Sequence, residues 1–394
     1  MQSIPVILIF DIGKTNKKLF LFNNSYQIVY ENSIQFDELM DEDGFPCDDI
    51  IAITEWIKNN IVELQSNKQY DIKAIHYSGY GASLVYLDQE GKAIEPIYNY
   101  LKPFKASTKN LVETNYGPIE QICLETASPD LENLNSGLQL YRIKIEHPEL
   151  YGNIKWALHL PQYLHYVVTG EICSDITSVG CHTLLWNFKE NKYHNWVVEE
   201  GLDKKFPPIK ENVGLHDSSS ALIPYLSAFN EEFVLISTGT WCISLNPFNH
   251  SILTKEELKG DTLCFKSIAG ISVKASRVFI GKEHEVEVKK LSALYPNKID
   301  FDKAYEQFME EIVNKQVQST NLILQSSTKK VFVDGGFSKN EYYLKGLAKA
   351  YPELEIYTST IPQASAIGAA LVIHESWNPN PKPTNLIELR RYND

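Results

Sequence analysis

The chain has 394 residues, of which 43% are hydrophobic and 22% charged, and its formal net charge is −13. A single hydrophobic core rarely serves more than about 250–300 residues, so a chain of this length is expected to form two domains. The negative charge, with no basic stripe, argues against a nucleic-acid-binding surface. No apolar run reaches the length of a signal peptide or a membrane span, so we expect a cytoplasmic protein without membrane partners.

The cysteines and histidines predict neither disulfides nor a structural zinc site. The six cysteines include no Cys-x-x-Cys spacing, and the ten histidines show neither a His-x-x-x-His spacing nor a Cys/His cluster. Reduced cysteines in a disulfide-free, cytosolic protein are therefore expected.

The first half of the chain predicts a three-strand meander followed by mixed structure. VILIF (6–10), LFLF (19–22) and YQIVYEN (26–32) read as the three strands. A helix follows, whose apolar stripe consists of Ile53, Ile57, Ile61 and Leu64. A strand at 72–78 and a hairpin at 84–94 come next. The segment 110–200 reads as mainly helical.

The second half begins with another strand-turn-strand pattern, EEFVLISTGTWCISLNP (231–247), after a break predicted at Pro224. The pattern predicts a helix around 301–312, a strand at 330–334 that ends in two glycines, and a helix around 344–351. An Ala-rich helix at 363–374 closes the series, and Gly368 would permit its close packing. The predicted domains are 1–224 and 225–394.

The stretch DIGKTNKK (11–18) forms a turn between two strands. Asp11 ends the first strand, Gly13 allows a tight bend, and Lys14, Thr15, Lys17 and Lys18 supply donors. The pattern lacks the glycines and the following helix of a P-loop. A carboxylate at a strand end suits Mg²⁺, which takes few protein ligands. The alternative is a polar β-turn with solvated lysines.

The stretch STGTW (237–241) is a second turn between apolar strands. Hydroxyl groups and a glycine in such a turn can hydrogen-bond a polyphosphate. The alternative is an ordinary hairpin rich in serine and threonine.

The stretch DGGFSKN (334–340) places two glycines between a strand and a helix. Paired glycines allow a ligand to approach the backbone, and a helix N-terminus favours anions. The alternative is a tight turn in which Ser338 caps the helix.

The stretch GLHDSSSAL (214–222) places Asp217 among small residues near the end of the first half. A carboxylate there could accept a proton from a hydroxyl group. The alternative is that Asp217 is a helix N-cap.

In combination these motifs resemble the FGGY carbohydrate kinases of the actin-like ATPase superfamily, over nearly the whole chain. The resemblance rests on the order of DIGKTNKK, a hairpin at 84–97, the stretch 160–188, GLHDSSSAL, ISTGTW, DGGFSKN and QASAIGAAL. Gly239-Thr240-Trp241 and the Gly-x-His-Asp of 214–217 resemble the L-rhamnulose and L-fuculose kinase branch.

The resemblance implies an α/β fold of two actin-like (ribonuclease H-like) domains, each a mixed central sheet flanked by helices, with an inter-domain cleft. The N-terminal domain would bind the sugar and carry the first phosphate turn, and the C-terminal domain would bind the nucleotide. The implied reaction transfers the γ-phosphoryl group of ATP, with Mg²⁺, to a hydroxyl of a ketose. That ketose would resemble L-rhamnulose, L-fuculose or xylulose.

The resemblance also implies roles for individual residues. Asp217 would be the catalytic base, and Asp11 would hold Mg²⁺ through water. The residues assigned to the nucleotide and its phosphates are Gly13, Thr15, Lys18, Ser237, Thr238, Gly239, Thr240, Gly335, Gly336 and Asn340. The residues assigned to the sugar are Tyr80, Gly81, Ala82, Asn99, His216 and Asp217.

Three departures from the family pattern leave the sugar open. YNYLKP (98–103) stands where most members show a Trp or Arg and an Asp, and Gln162-Tyr163-Leu164 stands where many have Asp-Tyr-Leu. The chain is also shorter than most members between Thr240 and Gly335. Two other functions stay open, an actin-like ATPase of another kind and a degenerate, sugar-binding regulator. The oligomeric state is open too, with a homodimer as one alternative.

Overall fold

The fold is described from a computed structural model, which describes residues 3–94, 96–359, 361 and 363–392. Glu95, within the predicted hairpin segment 84–97, lies outside the described residues. The strands are β1 (Ile4–Ile12), β2 (Lys17–Asn23), β3 (Ile28–Ile34), β4 (Leu39–Met40), β5 (Pro46–Cys47), β6 (Tyr70–Gly79), β7 (Leu84–Leu87), β8 (Ala93–Ile94), β9 (Trp156–His159), β10 (Trp186–Asn187), β11 (Lys192–Tyr193), β12 (Leu215–His216), β13 (Phe233–Thr238), β14 (Cys242–Asn246), β15 (Thr262–Lys266), β16 (Ser272–Val278), β17 (Lys330–Gly335), β18 (Glu355–Ser359) and β19 (Leu389–Arg391).

The helices lie mostly between these strands. They are α1 (Ile50–Ser66), α2 (Ala106–Tyr116), α3 (Ile119–Glu125), α4 (Ser136–Glu146), α5 (Pro148–Asn153), α6 (Leu160–Thr169), α7 (Ile176–Val179), α8 (Asn195–Glu199), α9 (Asp217–Ala228), α10 (Lys255–Lys259), α11 (Ile280–Leu294), α12 (Lys298–Asn321), α13 (Glu341–Ala350), α14 (Ala364–Val372) and α15 (His374–Trp377). Short 3₁₀ turns occupy Glu132–Leu134, Asp203–Lys205 and Gly336–Lys339. No helix among the described residues is both long and apolar enough to cross a membrane.

The chain divides into two compact units. The first unit comprises Met1–Ser227, Phe265–Ile271 and Gln363–Pro383, and the second comprises Ala228–Cys264, Ser272–Pro362 and Thr384–Asp394. The predicted division into 1–224 and 225–394 is linear, whereas α14 and α15 pack in the first unit although they come late in the chain. As a statement about domains, that division stays a prediction.

The first unit is built on a five-stranded mixed sheet in the order β12-β6-β1-β2-β3. β1, β2 and β3 pair antiparallel, which confirms the predicted meander, and β6 pairs parallel with β1 and with β12. The residues 6–10 of β1 are all fully buried, as a strand covered on both faces requires. Helix α1 packs on the sheet through Ile53, Ile57 and Leu64, as its apolar stripe predicted.

The second unit is built on a seven-stranded sheet in the order β15-β16-β14-β13-β17-β18-β19. Its central part has the same pattern as the first sheet, an antiparallel meander followed by parallel strands. β13, β14 and β16 form an antiparallel meander, and β17 pairs parallel with β13 and with β18. Buried side chains of α12 and α13, such as Ile312 and Leu347, share one core with Val234 and Val333 of the sheet. The α/β class with two mixed sheets, predicted from the sequence, is thus confirmed.

The predicted break at Pro224 is wrong, because α9 continues through Pro224 to Ala228. Proline lacks the N–H that would bond the carbonyl four residues earlier, here that of Ser220. Helix α14 covers this carbonyl: a β-carbon added at Gly368 would lie 1.9 Å from the Ser220 carbonyl oxygen. The Ser220 hydroxyl also donates to the Ser365 carbonyl oxygen at 2.7 Å. Gly368 therefore permits the predicted close packing, at the point where proline has freed a carbonyl group.

Candidate active site

The carboxyl ends of three parallel strands of the first unit lie side by side. Asp11 of β1 is in register with Ser78 of β6, and His216 of β12 is in register with Gly79 of β6. Because α9 begins directly after β12, Asp217 is at the same end of the sheet as Asp11. Two carboxylates that are 206 positions apart in the sequence (217 − 11) are thereby brought to one edge.

Asp11 is held by a hydrogen bond from a distant helix. The Ser365 hydroxyl, in the first turn of α14, donates to Asp11 Oδ2 at 2.7 Å. Burial raises the pKa of Asp11 to about 6; the Ser365 hydrogen bond lowers it, and the negative charge of Asp217 raises it. The influence of Asp217 agrees with the strand register, which brings both carboxylates to the same end of the sheet.

Asp217 opens helix α9 and has hydrogen-bonding groups on one side. Its Oδ1 accepts hydrogen bonds from the backbone N–H of Ser218 at 2.6 Å and from the Ser218 hydroxyl at 3.2 Å. An N-cap would bond the second or third N–H of the helix, so the capping alternative is wrong. His216 Nε2 lies 3.2 Å from Asp217 Oδ1. The side chain is 40% exposed, yet desolvation by the surrounding protein raises its pKa to about 6.

The lysines of the first turn have different partners. Lys14 Nζ lies 2.7 Å from Asp48 Oδ2, and Lys17 Nζ lies 3.1 Å from Asp48 Oδ1. Both ammonium groups thus belong to an ion-pair cluster, so the alternative of solvated lysines is wrong for Lys14 and Lys17. Lys18 Nζ lies 3.5 Å from the Gln363 side-chain oxygen.

The bend of the first turn is closed by the backbone. The N–H of Gly13 donates to the carbonyl oxygen of Asn16 at 3.0 Å. Thr15, at the tip of the turn, is exposed. Of the residues assigned to phosphate in this turn, Gly13 shapes the backbone, while Thr15 and Lys18 present polar side chains.

The residues assigned to the sugar divide into two groups. Gly81 lies against His216, because a β-carbon on Gly81 would be 2.7 Å from the imidazole Cδ2 and Nε2. Ala82 has a positive φ of 72°, which continues this tight backbone segment. Tyr80 and Asn99 use their polar atoms within the protein: the Tyr80 hydroxyl donates to Asp48 Oδ2 at 2.8 Å, and Asn99 Oδ1 accepts from the Leu101 N–H at 3.0 Å.

The turn between β13 and β14 carries the second predicted phosphate site. Ser237, Gly239 and Thr240 are exposed, whereas Thr238 is buried. The Thr238 hydroxyl accepts from the Phe337 N–H at 2.9 Å and donates to the Asp334 carbonyl oxygen. Thr238 therefore ties this turn to the end of β17.

Helix α11 begins against the same turn, a feature that the sequence interpretation missed. A β-carbon at Gly281 would lie 1.7 Å from the Gly239 carbonyl oxygen, and the Lys282 N–H donates to the Thr240 carbonyl oxygen at 3.1 Å. Trp241 and Phe279 pack beside it with their rings tilted by 55° and the ring centroids 4.6 Å apart, and both are partly exposed. The sequence offered one sign of this close approach, the glycine Gly281 in the first turn of α11, two residues after Phe279.

The two glycines that follow β17 have different surroundings. Gly335 has a positive φ of 82°, and a β-carbon there would lie 2.0 Å from the Thr238 carbonyl oxygen; nothing lies within 4 Å of a β-carbon at Gly336. Asn340, assigned to the nucleotide, caps α13 by accepting from the Tyr343 N–H and donates from Nδ2 to the Tyr305 hydroxyl at 2.7 Å. The alternative in which Ser338 is the cap is therefore wrong.

The structure also brings together a Cys/His group that the sequence scan missed. Cys181, His182 and His216 each place one ligand-type atom within 4.8 Å of the others. Burial lowers the pKa of His216 to about 4. The first two residues are adjacent in the sequence, but the third is 35 positions away, so the group has no recognisable spacing.

The donors at Asp11 fit a magnesium ion. Mg²⁺ prefers oxygen ligands and keeps several of its waters, so one or two carboxylates are enough. Asp11 provides a carboxylate at the edge of the sheet, and the nearby negative charge of Asp217 adds to the field that a cation would neutralise.

Comparison with solved structures defines the class of fold. The chain superposes on a carbohydrate kinase from Novosphingobium aromaticivorans with a TM-score of 0.83 and 21% identity, covering 99% of this chain and 94% of that one. A xylulose kinase from Lactobacillus acidophilus gives a TM-score of 0.80 with 14% identity, covering 98% and 92%. The fold is thus that of the two-domain, actin-like sugar kinases.

Comparison of sequences defines the family. The model of the FGGY family of carbohydrate kinases, N-terminal domain, matches residues 6–211, and the chain belongs to this family. A rhamnulokinase from Halalkalibacterium halodurans is 23% identical over 261 residues, which are 59% of this chain and 54% of that protein. The chain thus spans about half the length of this curated relative.

Proposed function

We propose that this protein is an ATP-dependent sugar kinase in which Asp217 takes the proton from the attacking sugar hydroxyl. The observation that carries the proposal is the register of β1, β6 and β12, which aligns Asp11 with the strand end before Asp217. Phosphoryl transfer requires positioning and charge neutralisation more than covalent chemistry. A pair of carboxylates at one sheet edge can divide these tasks between a base and a cation ligand.

The proton transfer assigns different tasks to the two oxygens of Asp217. Its Oδ1 is engaged by Ser218 and lies close to His216 Nε2, so Oδ2 is the oxygen that would accept the proton. As the sugar O–H bond breaks, the sugar oxygen bonds to the γ-phosphorus and the bond from that phosphorus to ADP breaks. General-base assistance of this kind contributes about 10²–10⁴-fold to the rate.

Asp11 would hold Mg²⁺, and Ser365 would fix the orientation of its carboxylate. When bound, Mg²⁺ would supply neutralisation of charge on the phosphate oxygens. In the first unit, Gly13, Thr15 and Lys18 are assigned to phosphate. In the second unit, the assignments are Ser237, Thr238, Gly239 and Thr240 for phosphate and Gly335, Gly336 and Asn340 for the nucleoside.

The proposed acceptor is a ketose. Support comes from the names of the similar proteins, a rhamnulokinase and a xylulose kinase, and from the resemblance of Gly239-Thr240-Trp241 to the L-rhamnulose and L-fuculose kinase branch. Within the first unit, Gly81, Ala82 and His216 are assigned to the sugar, as are Tyr80 and Asn99, whose side chains bond to Asp48 and to the Leu101 N–H. All six cysteines are buried and lie outside disulfides, which is consistent with the proposed action in the cytosol.

A coupled ADP-release screen across ketoses, aldoses and polyols, with ATP and Mg²⁺, tests the proposal. We expect one ketose to stimulate ADP release strongly, and Asp217→Asn to lower the stimulated rate by about 10²–10⁴-fold. Asp37→Asn, at an exposed carboxylate, is the matched control and should leave the rate unchanged. Near wild-type activity in Asp217→Asn would refute the base assignment. ATP hydrolysis that ignores every sugar would favour an actin-like ATPase instead.

A further inference from the structure

Cys181, His182 and His216 form a side-chain group with the composition of a zinc site, and we name it the Cys-His-His group. From this group we infer that the protein binds a divalent metal ion of the zinc type here, separate from the magnesium assigned to Asp11. One ligand-type atom of each residue lies within 4.8 Å of the other two. Cys181 Sγ lies 3.9 Å from His216 Nε2.

The separation of Cys181 Sγ and His216 Nε2 is close to that in a filled site. Zinc–sulfur bonds of about 2.3 Å and zinc–nitrogen bonds of about 2.0–2.1 Å place tetrahedral ligand atoms roughly 3.3–3.6 Å apart. The Sγ–Nε2 distance of 3.9 Å therefore needs to shorten by only a few tenths of an ångström. The ligand atom of His182 lies within 4.8 Å of the other two and would also move closer when the metal binds.

The backbone around the Cys-His-His group is fixed by contacts on several sides. Cys181 forms an isolated antiparallel bridge with Phe265. The carbonyl oxygen of His182 accepts from Asn135 Nδ2 at 2.9 Å, and the N–H of His216 donates to the Thr177 hydroxyl at 3.2 Å. A site whose ligands are held in place before binding loses little entropy when the metal enters.

The chemistry of the ligands selects the metal. A thiolate with two imidazoles favours borderline-soft ions such as Zn²⁺ over Mg²⁺ and Ca²⁺, which prefer oxygen. Asp217 Oδ1 lies 3.2 Å from His216 Nε2 but is not among the atoms that lie within 4.8 Å of one another. Three protein ligands with a water in the fourth position give the tetrahedral coordination that zinc prefers.

A filled site would also affect the reaction, a consequence that rests on the proposed function. A metal bound at His216 Nε2 would lie next to the Asp217 carboxylate, whose Oδ1 is 3.2 Å from that nitrogen, and its positive charge would make Asp217 a weaker base toward the sugar hydroxyl. Zn²⁺ would then inhibit sugar phosphorylation, in competition with the sugar. Saturating Zn²⁺ that left the rate unchanged would overturn this consequence.

A cobalt titration of the full, metal-free chain tests the site without using kinase activity, so that failure of the kinase proposal would be recognised separately. Co²⁺ bound by a thiolate gives a charge-transfer absorption band, and Zn²⁺ should abolish this band by displacing Co²⁺. We expect Cys181→Ser to lose the band and Cys123→Ser, at a buried cysteine elsewhere, to keep it. His182→Gln should keep the band at saturation but weaken the affinity for Co²⁺ at least tenfold.

His165, Glu171 and Cys173 form a second group with ligand-type atoms close together. Cys173→Ser is therefore added to the variants, to show which of the two groups binds Co²⁺. Loss of the band in Cys173→Ser, with retention in Cys181→Ser, would overturn the inference. Absence of any thiolate band in the wild-type protein would overturn it as well. Thermal unfolding of each variant without metal checks folding, and His182→Gln carries the test if Cys181→Ser does not fold.

Discussion

The hydroxyl of Ser365 donates a hydrogen bond to Asp11 Oδ2 at 2.7 Å, although 354 positions separate the two residues in the sequence. The first turn of α14 thereby orients the carboxylate at the end of the first strand. Groups that orient a metal-binding carboxylate affect metal affinity although they do not touch the ion. Ser365 is therefore a positioning residue for Asp11.

Replacement of Ser365 by alanine should weaken the use of magnesium. We expect Ser365→Ala to raise the Mg²⁺ concentration that gives half-maximal kinase activity by about tenfold, in the range seen for such supporting residues. Ser376→Ala, at an exposed serine of the neighbouring helix α15, is the control. A Mg²⁺ titration of the sugar-dependent rate measures the effect, and identical curves for both variants would contradict it.

The two glycines after β17 should respond differently to alanine. Gly335→Ala introduces a β-carbon 2.0 Å from the Thr238 carbonyl oxygen at a positive φ, so it should lower the melting temperature measurably. Gly336→Ala has open space around its β-carbon, so the fold should keep its melting temperature. If adenosine uses that space, the KM for ATP should rise roughly tenfold, about 1.4 kcal/mol. An unchanged KM in Gly336→Ala would argue against the adenosine assignment.

The contact between α9 and α14 should not tolerate a methyl group. Gly368→Ala places a β-carbon 1.9 Å from the Ser220 carbonyl oxygen, and overpacking of this kind costs about 1–3 kcal/mol. Gly152→Ala, in helix α5 with nothing near its β-carbon, should be neutral or stabilising by up to about 1 kcal/mol. Urea unfolding of both variants gives the free energies. A stability loss of equal size in the two would remove the role assigned to the helix contact.

His76, in β6, should make the fold sensitive to acid. Burial lowers its pKa from 6.5 to about 3, so the folded state resists a proton that the unfolded state accepts. Above pH 6.5 His76 is neutral in both states and does not reduce the free energy of unfolding. As the pH falls from 6.5 toward 3, protonation of His76 in the unfolded state lowers this free energy by about 1.4 kcal/mol per pH unit.

A variant without a titratable group at this position isolates that effect. His76→Phe should reduce the pH dependence of the unfolding free energy between pH 6.5 and 4, whatever its effect at neutral pH. His250→Gln, at an exposed histidine, is the control and should retain the wild-type slope. Parallel stability–pH curves for His76→Phe and the wild type would refute the assignment to His76.

Local patterns predicted most strands and helices because alternation, apolar stripes and turns act over a few residues. The strand β1, the helix α1 and the hairpin at 84–94 belong to this group. Pro224 was misleading because a tertiary contact with Gly368 covers the carbonyl that the proline frees.

The candidate site was predictable only in part. Ordered motifs identified Asp11 and Asp217, whereas the packing of Ser365 on Asp11 depends on the placement of α14, which no local pattern specifies. The Cys-His-His group was invisible for the same reason, since β12 brings His216 to Cys181 across 35 positions. Partners that only the tertiary structure creates lie beyond single-sequence reasoning.

The placement of α14 and α15 in the first unit has a consequence for synthesis on the ribosome. The Tyr26 hydroxyl lies 2.7 Å from His374 Nδ1, and Asn378 Nδ2 donates to the Asn24 carbonyl oxygen at 2.9 Å. Domains generally fold as they emerge, N-terminal first, yet these contacts require residue 378 to have left the exit tunnel. The contacts of Tyr26 and Asn24 therefore form only after the chain has grown by the 348 and 354 residues that separate them from their partners, so the first unit cannot be completed until α14 and α15 have been synthesised.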